Sequence, residues 1–280
     1  MTSFNNINPP KVLQSPRRGK TFGGFDSHEF KLLKKLPLGE IKYFESTGST
    51  NDEALAWAAK GAPDLSLVIA DEQTAGRGRL DRKWFTPRGT ALAFSLILRP
   101  ATDSHLSRTI GLAALSIADA LIQHGLAPQI KWPNDILLNR KKTAGILIET
   151  VWSGAEVDSM VIGMGINVHK GSIPPQALLQ FPATSVEDEL GHPANREVML
   201  DNVLSAFISR RPQTDSEDFI KSWEALLAYL GEQVQVRAGE DDLYTGELLG
   251  LDPDGGLRLR DEHGRIITAS VGDVSLRPRA

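Results

Sequence analysis

The hydrophobic pattern of the chain changes near Gly231, and this change constrains the fold more than any other feature of the sequence. Upstream of Gly231, apolar runs of strand length such as Ala91–Leu98 alternate with amphipathic stretches of helix length. Downstream, short alternating segments such as 234–237 and Leu257–Arg260 are separated by glycine-containing turns. The first pattern is typical of a mixed α/β domain, and the second is typical of a small antiparallel barrel.

We therefore predict an α/β fold of the α+β type, in which a mixed sheet flanked by helices is followed by a small β-barrel. A chain of 280 residues has room for one large and one small domain. The predicted division is a flexible N-terminal extension, a large domain and a barrel, over residues 1–38, 39–230 and 231–280. Within the extension, four apolar residues favour a short amphipathic turn that docks on the large domain: Phe30, Leu32, Leu33 and Leu36.

Local patterns place the elements of the large domain. Strands are predicted at 65–70, 91–98, 129–132 and 161–168. Helices are predicted at 52–60, 109–125, 196–209 and 216–230. The polar segment 139–142 lies between two short apolar runs, and this arrangement predicts a hairpin joining 136–138 to 146–148.

Composition excludes several classes of protein. The chain has no cysteine, so it has neither disulfides nor a thiol nucleophile. A net charge of -4 disfavours a dedicated nucleic-acid binder, which usually carries a basic surplus. The first twenty or so residues lack the apolar core of a secretory signal. The apolar runs are too short to span a bilayer, so we expect a cytoplasmic protein without a membrane partner.

The segment 76–79 reads Gly-Arg-Gly-Arg and is followed by Arg82 and Trp84. Glycine lets the backbone approach a ligand, and arginine presents a rigid fork of donors that matches carboxylate and phosphate oxygens. The segment joins two predicted strands, as binding loops often do. An anion-binding loop is one interpretation, and a solvated basic loop or a nucleic-acid contact is the other.

Ser49, Thr50 and Asn51 open the predicted helix 52–60. The spacing of Thr50 and Glu53 predicts a capping box, in which the two residues satisfy each other's free backbone N–H groups. Taken alone, this cluster is best read as a helix N-cap. Only further polar residues elsewhere in the sequence make it a candidate ligand site.

Three more segments carry chemistry-bearing residues. Lys131 could neutralise phosphate and Asp135 could hold Mg²⁺, although an Asx-type turn is the better explanation of this segment when it is taken alone. Lys142 follows the predicted hairpin turn, where it is either directed into a cleft or simply exposed. Gly163 and Gly165 alternate in a predicted strand, which marks either close approach of another group or a bulge.

Together and in this order, these segments resemble the biotin–protein ligases. That family shows Ser-Thr-Asn, then Gln-x-x-Gly-Arg-Gly-Arg-x-x-Arg-x-Trp, Lys-Trp-Pro-Asn-Asp, Lys-x-Ala-Gly-Ile and Gly-x-Gly-Ile-Asn. The corresponding segments here are 49–51, 73–84, 131–135, 142–146 and 163–167. The resemblance extends from about residue 41 to the C-terminus, and the second and third motifs are specific when they occur together.

The resemblance implies a role for each matching residue. The implied contacts to the biotin ring are Ser49, Thr50, Asn51 and Gln73. A loop implied to close over the biotin carboxylate and the adenylate phosphate contains Arg77, Gly78 and Arg79. Lys142 is implied to pair with that carboxylate and the reacting phosphate, so Lys142 and Arg79 are the expected catalytic residues.

The nucleotide side is implied to comprise five residues: Arg82, Trp84, Lys131, Asn134 and Asn167. Asp135 is the expected Mg²⁺ ligand. The chain departs from the family pattern at Asp81, where members often carry glycine. A carboxylate at that position can pair with an arginine and stiffen the loop.

The implied fold ends in an SH3-like barrel, and the implied substrates are biotin and ATP with Mg²⁺. Biotin would be activated as biotinyl-5′-AMP and passed to a lysine of a biotin carboxyl carrier protein or domain. No DNA-binding domain is expected, because a helix-turn-helix domain needs roughly sixty residues and 1–38 is broken by proline and glycine. Both a monomer and a homodimer remain open.

Two alternatives come from other classes. A lipoate or octanoyl transferase has a related architecture, but its glycine-rich His-Asp pattern is not found, and the segment 131–135 favours biotin. A nucleic-acid-binding protein using the segment 76–79 is disfavoured by the acidic balance of the chain and by the lack of interleaved aromatic residues.

Overall fold

The computed structural model of the chain describes residues 11–12, 30–80, 82–99, 106–153, 156–175, 177, 179, 181–238, 242–269 and 274–278. The described strands of the large sheet are β1 (Lys11–Val12), β2 (Ile41–Phe44), β3 (Ser66–Ala70), β4 (Ala91–Leu98), β5 (Pro128–Lys131), β6 (Asp135–Leu138), β7 (Lys141–Ser153) and β8 (Glu156–Asn167). The helices are α1 (Phe30–Leu33), α2 (Thr50–Ala58), α3 (Leu106–Gln123), α4 (Val186–Leu190), α5 (Arg196–Arg210) and α6 (Glu217–Ala225). A second sheet contains β9 (Gln233–Ala238), β10 (Asp242–Leu251), β11 (Leu257–Arg260), β12 (Ile266–Ala269) and β13 (Val274–Pro278).

The large sheet has the strand order β1-β2-β3-β4-β8-β7-β6-β5. It is mixed, because β2 and β3 run parallel while the other pairs are antiparallel. Its central strands β3 and β4 are buried on both faces, which explains why their sequences are continuous apolar runs. This order places β8 beside β4 and β7 beside β8, near the middle of the sheet.

Helices cover both faces of the large sheet. Leu67 and Ile69 of β3 belong to one hydrophobic cluster with α3 and α5, whereas Val68 and Ala70 belong to a second cluster with α2. This division follows from the strand geometry, since successive side chains point to opposite faces. The predicted sheet flanked by helices is therefore confirmed.

The longest helix, α3, is apolar enough and long enough to cross a membrane, with a mean hydropathy of 1.2 over 18 residues. In the fold it packs against α5 and the large sheet, and 67% of that stretch is buried inside the protein. Burial within the core accounts for this composition, because a helix covered on most sides is expected to be apolar nearly all round.

The C-terminal sheet has the order β12-β11-β10-β9-β13 and is antiparallel throughout. It docks on the large domain through the turn between β10 and β11. In that turn, the Gly255 carbonyl accepts a hydrogen bond from Trp132 Nε1 at 2.9 Å. Arg108 donates to the Pro253 carbonyl from α3, and Glu224 of α6 accepts from the Leu251 N–H at 2.8 Å. The antiparallel sheet expected in this region is confirmed.

Several boundaries differ from those predicted. The last helix of the large domain ends at Ala225 rather than 230, because Leu226 and Ala228 form backbone hydrogen bonds with the edge strand β5. In the hairpin, only Asn139 and Arg140 form the turn, since both have positive φ angles and β7 already begins at Lys141.

Within 1–38, α1 begins at Phe30, Leu33 is buried and Leu36 packs on the core, so the predicted docking turn is present. Lys11–Val12 adds a strand that was not predicted. Neither β10 nor β13 was predicted, and the division at 38 and 230 stays a prediction.

The predicted capping box of Thr50 and Glu53 is wrong. Ser49 is the N-cap of α2, and its side chain makes no capping hydrogen bond. The Thr50 N–H donates instead to Gln73 Oε1 at 2.8 Å, and Glu53 Oε1 accepts from Thr47 Oγ1 at 3.0 Å. A side chain 23 residues away therefore satisfies the start of this helix.

Candidate active site

The start of α2 and the segment after β3 form a polar group, which we call the ring cluster: Ser49, Thr50, Asn51 and Gln73. Gln73 Oε1 accepts from the Thr50 N–H and from Thr50 Oγ1, the latter at 3.1 Å. Gln73 Nε2 donates to Thr86 Oγ1 at 3.2 Å. Ser49, Thr50 and Asn51 are 3%, 4% and 4% exposed and lie beneath the surface, whereas Gln73 is half-buried. The four residues predicted to contact the ring are thus brought together.

Two residues that sequence reasoning missed complete this cluster. Ser95 Oγ of β4 lies 2.8 Å from Thr50 Oγ1 and 2.6 Å from Asn51 Oδ1. Asn51 Nδ2 donates to Glu149 Oε2 at 2.7 Å and to the Leu147 carbonyl at 3.3 Å. A signal for Ser95 was present, since it is the one polar residue in the otherwise apolar run Ala91–Leu98. No local signal marks Glu149, because its partners come from α2 and from a loop.

The glycines of β7 and β8 make room for the site. A Cβ on Gly163 would lie 2.2 Å from Asn51 Oδ1, and one on Gly165 would lie 2.4 Å from the Trp84 ring. A Cβ on Gly145 would lie 3.2 Å from Lys142 Nζ. The alternating glycines therefore mark close approach, and the approaching groups are side chains of the candidate site.

The segment 76–84, called the arginine loop below, folds back on itself. The Gly78 N–H donates to the Arg82 carbonyl at 2.7 Å, and the Trp84 N–H donates to the Gly76 carbonyl at 2.8 Å. Leu80, at the tip, has a φ angle of 55° and a side chain that is 54% exposed. Asp81, where the chain departs from the family pattern, lies outside the described residues.

The two arginines of this loop face different partners. Arg77 forms ion pairs with Asp52 and with Glu149, the second at 3.3 Å. Arg79 donates to Asn134 Oδ1 at 3.3 Å, and Asn134 Nδ2 donates to the Ile146 carbonyl at 2.8 Å. Arg77 thus lies beside the ring cluster, whereas Arg79 reaches the predicted nucleotide side.

Lys142 and Lys131 converge on one carboxylate. Lys142 Nζ lies 2.5 Å from Asp135 Oδ1, and Lys131 Nζ lies 3.8 Å from Asp135 Oδ2. The Lys142 ammonium is also 5.5 Å from the centre of the Trp84 ring. The tight turn of the β6–β7 hairpin puts Asp135 and Lys142 on neighbouring strands, which is how their side chains meet.

The described residues around Asp135 do not form a site that would hold Mg²⁺ without a substrate. Two ammonium groups already neutralise the Asp135 carboxylate. Among the described residues, no group of three or more histidine, cysteine, aspartate or glutamate side chains is placed to hold a metal. Mg²⁺ is usually bound through one or two carboxylates together with substrate phosphates. The metal is therefore best treated as part of the nucleotide substrate, and the role predicted for Asp135 as its ligand stays untested.

The other residues predicted to contact the nucleotide differ in burial and in their partners. Asn167 is 5% exposed, and its Nδ2 donates to the Thr184 carbonyl at 3.2 Å. The segment around Thr184 also pairs with Lys142, whose N–H donates to the Pro182 carbonyl at 2.7 Å. Trp84 lies over Gly165, and its buried Nε1 has no acceptor among the described residues. Arg82 has an exposed side chain and contributes its backbone carbonyl to the loop.

Comparisons with known proteins show which chains this one is similar to. Residues 43–167 match the model of the biotin/lipoate A/B protein ligase family, and residues 229–277 match that of the biotin protein ligase C-terminal domain. A relative named biotin–[acetyl-CoA-carboxylase] ligase, from Paracoccus denitrificans, is 39% identical over 78% of this chain and 93% of its own. The bifunctional ligase/repressor BirA of Escherichia coli is 33% identical over 88% of this chain and 77% of its own.

Among solved structures, the biotin protein ligase from Aquifex aeolicus in complex with biotin and ATP aligns with a TM-score of 0.76. The two are 29% identical, and the alignment covers 85% of this chain and 99% of that one. A biotin protein ligase from Leishmania major in complex with biotinyl-5-AMP aligns with a TM-score of 0.60 at 23% identity, which supports the fold.

Proposed function

Because the chain belongs to the biotin protein ligase family, we propose that it activates biotin with ATP and transfers it to a lysine of a carboxylase subunit. One observation carries the proposal. A largely buried cluster of donors and acceptors lies against the middle of β7 and β8, beside Leu147 and Gly163, and two lysines and an arginine lie toward the start of β7. Such a site suits a ligand with a neutral polar ring and a carboxylate at some distance from it.

The ring cluster matches the polar rim of a cyclic urea. A urea offers two N–H donors and one carbonyl acceptor, and it needs complementary groups that are already oriented. The Thr50 hydroxyl and the amides of Asn51 and Gln73 supply both kinds of group from positions fixed by hydrogen bonds. Ser49 adds a buried hydroxyl. Burial strengthens such contacts, because little water competes for them.

The cationic end suits the first chemical step. A biotin carboxylate oxygen attacks the α-phosphorus of ATP, the bond to the bridging oxygen breaks, and pyrophosphate leaves. Lys142 and Lys131 offset the charge that builds on the phosphate oxygens, and Arg79 holds the product under the loop. Mg²⁺ enters as the ATP complex. The buried N–H of Trp84 is a donor that a bound acceptor would satisfy.

In the second step, an acceptor lysine amine attacks the acyl carbon of biotinyl-5′-AMP, and AMP leaves with the electron pair. A protein nucleophile is unnecessary, which agrees with a chain that has no cysteine. Catalysis then consists of positioning and charge neutralisation. We propose a biotin carboxyl carrier protein or domain as the acceptor and the cytoplasm as the location, and we leave the oligomeric state to measurement.

The transfer is tested by intact mass spectrometry of a carrier domain incubated with the protein, ATP and either biotin or lipoate. We expect one biotinyl addition that requires ATP and disappears when the acceptor lysine is changed to arginine. Addition of lipoate instead of biotin would favour the lipoate branch of the matched family. Salt-dependent retardation of nucleic acid without any acyl transfer would favour the nucleic-acid alternative.

A further inference from the structure

Glu149 links the ring cluster to the arginine loop. It stands on β7, and its side chain is 26% exposed. One carboxylate oxygen, Oε2, accepts from Asn51 Nδ2 at 2.7 Å and lies 3.3 Å from the Arg77 guanidinium. The same atom therefore contacts both a residue of the ring cluster and the first arginine of the arginine loop.

The first contact fixes the orientation of the Asn51 amide. An ionised carboxylate can only accept, so the NH₂ group of Asn51 must face Glu149. The amide oxygen is then directed to the other side, 2.6 Å from Ser95 Oγ and against Gly163. Glu149 makes the shorter of the two contacts that orient the Asn51 amide, and the Leu147 carbonyl accepts from the same Nδ2 at 3.3 Å.

The second contact anchors the arginine loop. Arg77 lies between Gly76 and Gly78, whose backbone groups pair with Trp84 and Arg82 across the loop. Glu149 and Asp52 supply two carboxylates to its guanidinium, from β7 and from the first turn of α2. The Asp52 side chain is 57% exposed and pairs with Arg77.

We propose that Glu149 is a positioning residue that sets the Asn51 amide and the start of the arginine loop with one carboxylate. It makes biotin binding depend on the loop being anchored, and this inference rests on the proposed function. The two contacts are separable by substitution. Glu149→Gln keeps an acceptor for Asn51 but removes the charge that pairs with Arg77. Glu149→Leu removes both, and Asp52→Asn weakens only the loop anchor.

Steady-state kinetics of biotin-dependent pyrophosphate release separate positioning from general stability. Exposed ion pairs contribute little, so Glu149→Gln is expected to raise KM for biotin by about 3- to 5-fold. A charge-assisted hydrogen bond contributes more, so Glu149→Leu is expected to raise it by on the order of 10- to 100-fold. In both variants, KM for ATP and kcat should stay within about twofold of the parent values. Proteolysis within the arginine loop should accelerate in Glu149→Gln and in Asp52→Asn.

Thermal unfolding of each variant provides the folding control. If Glu149→Leu misfolds, Glu149→Gln still tests the contact with Arg77. A KM for biotin in Glu149→Leu within twofold of the parent would overturn the inference and leave the proposed function intact. Parallel loss of stability, kcat and affinity for both substrates would also overturn it, because that is the result of a structural role. A parent protein without any biotin-dependent release would overturn the proposed function and this inference together.

Discussion

At the scale of single residues, the candidate site is tightly packed around the Asn51 side chain. Asn51 is held by Ser95, Glu149 and the Leu147 carbonyl, and the glycine at 163 lets its amide lie against β8. A well-packed polar group of this kind is rigid, because every partner limits the movement of the next. Substitutions that add a single carbon atom beside it are therefore informative.

We expect Gly163→Ala to weaken biotin binding by about 1–3 kcal/mol, the usual cost of overpacking a tight site. The added Cβ would lie 2.2 Å from Asn51 Oδ1, so the amide must move. Gly48→Ala is the matched control, because a Cβ at Gly48 meets nothing within 4 Å. Isothermal titration with biotin measures both variants, and equal affinities would contradict the proposed place of the ring.

At the scale of elements, the arginine loop and the β6–β7 hairpin bring the cationic groups together. The loop supplies Arg79, and the hairpin supplies Lys142, which pairs with Asp135. Two glycines and closely spaced like charges favour a loop that opens easily. Retention of a labile intermediate therefore depends on the contacts that the loop makes when it is closed.

Arg79→Gly is expected to form biotinyl-5′-AMP but to release it, since the contact with Asn134 is lost. The measurement is biotin labelling of a bystander protein that shares no feature with the acceptor. Leu80→Gly provides the control, because it adds a glycine at a residue with a φ angle of 55° without removing a guanidinium group. Equal bystander labelling by Leu80→Gly would assign the leak to loop flexibility rather than to Arg79.

The packing of α3 against α5 carries a pH dependence. His124 follows α3, and its Nε2 lies 3.4 Å from Asn202 Nδ2 of α5. Burial, and to a smaller extent the nearby His192, lowers the pKa of His124 below its ordinary value of 6.5. The folded state prefers the neutral ring, so this contribution to stability is complete above the unfolded pKa and is lost as pH falls through the lower folded pKa.

Urea unfolding at about pH 7.5 and about pH 5 tests this sign, with the parent chain compared to His124→Gln. We expect the free energy of unfolding to fall less in the variant, because glutamine keeps a polar partner for Asn202 but does not titrate. A variant that loses as much stability as the parent over this interval would contradict the assignment.

At the scale of the whole molecule, Trp132 connects the nucleotide motif to the C-terminal sheet. It is 1% exposed, and its indole donates to the Gly255 carbonyl across 123 residues of sequence. Gly255 has a φ angle of 83°, and a Cβ there would lie 2.8 Å from Trp223 Cζ3. Lys131 precedes Trp132 and Asn134 follows it two residues later, so we expect docking of the C-terminal sheet and the geometry of the cationic end to be coupled.

Gly255→Ala should therefore destabilise the fold by about 1–2 kcal/mol for the positive φ angle and by about 1–3 kcal/mol more for the contact with Trp223. It should also raise KM for ATP. Gly264→Ala is the matched control, because Gly264 has a φ angle of 76° but open space around it. Chemical denaturation and ATP kinetics measure both, and equal effects of the two substitutions would argue against coupling through the docked turn.

Features encoded by neighbouring residues were predictable, whereas those that depend on distant partners were not. The apolar run of β4 and the periodicity of α3 were sufficient to predict both elements. The strand β10 was missed because Gly246 and Gly250 interrupt its alternation. The capping box failed because Gln73 reaches Thr50 from another element.

The same distinction applies to the site. Motifs identified Asn51, Arg79 and Lys142, which the fold brings around one sheet. Glu149 was missed because its contacts with Asn51 and Arg77 exist only after β7 is placed beside α2 and the arginine loop. A sequence motif shows which residue types recur together, and the sheet order determines which of their atoms can meet.

The central claim is tested most directly by exchange of labelled pyrophosphate into ATP, because this isolates activation from transfer. The account predicts exchange that requires biotin and that falls by on the order of 100-fold or more in Lys142→Ala. Lys141→Ala, which removes an adjacent lysine that is 49% exposed and pairs with Glu189, should exchange at the parent rate. Exchange without biotin, or at the parent rate in Lys142→Ala, would contradict the account.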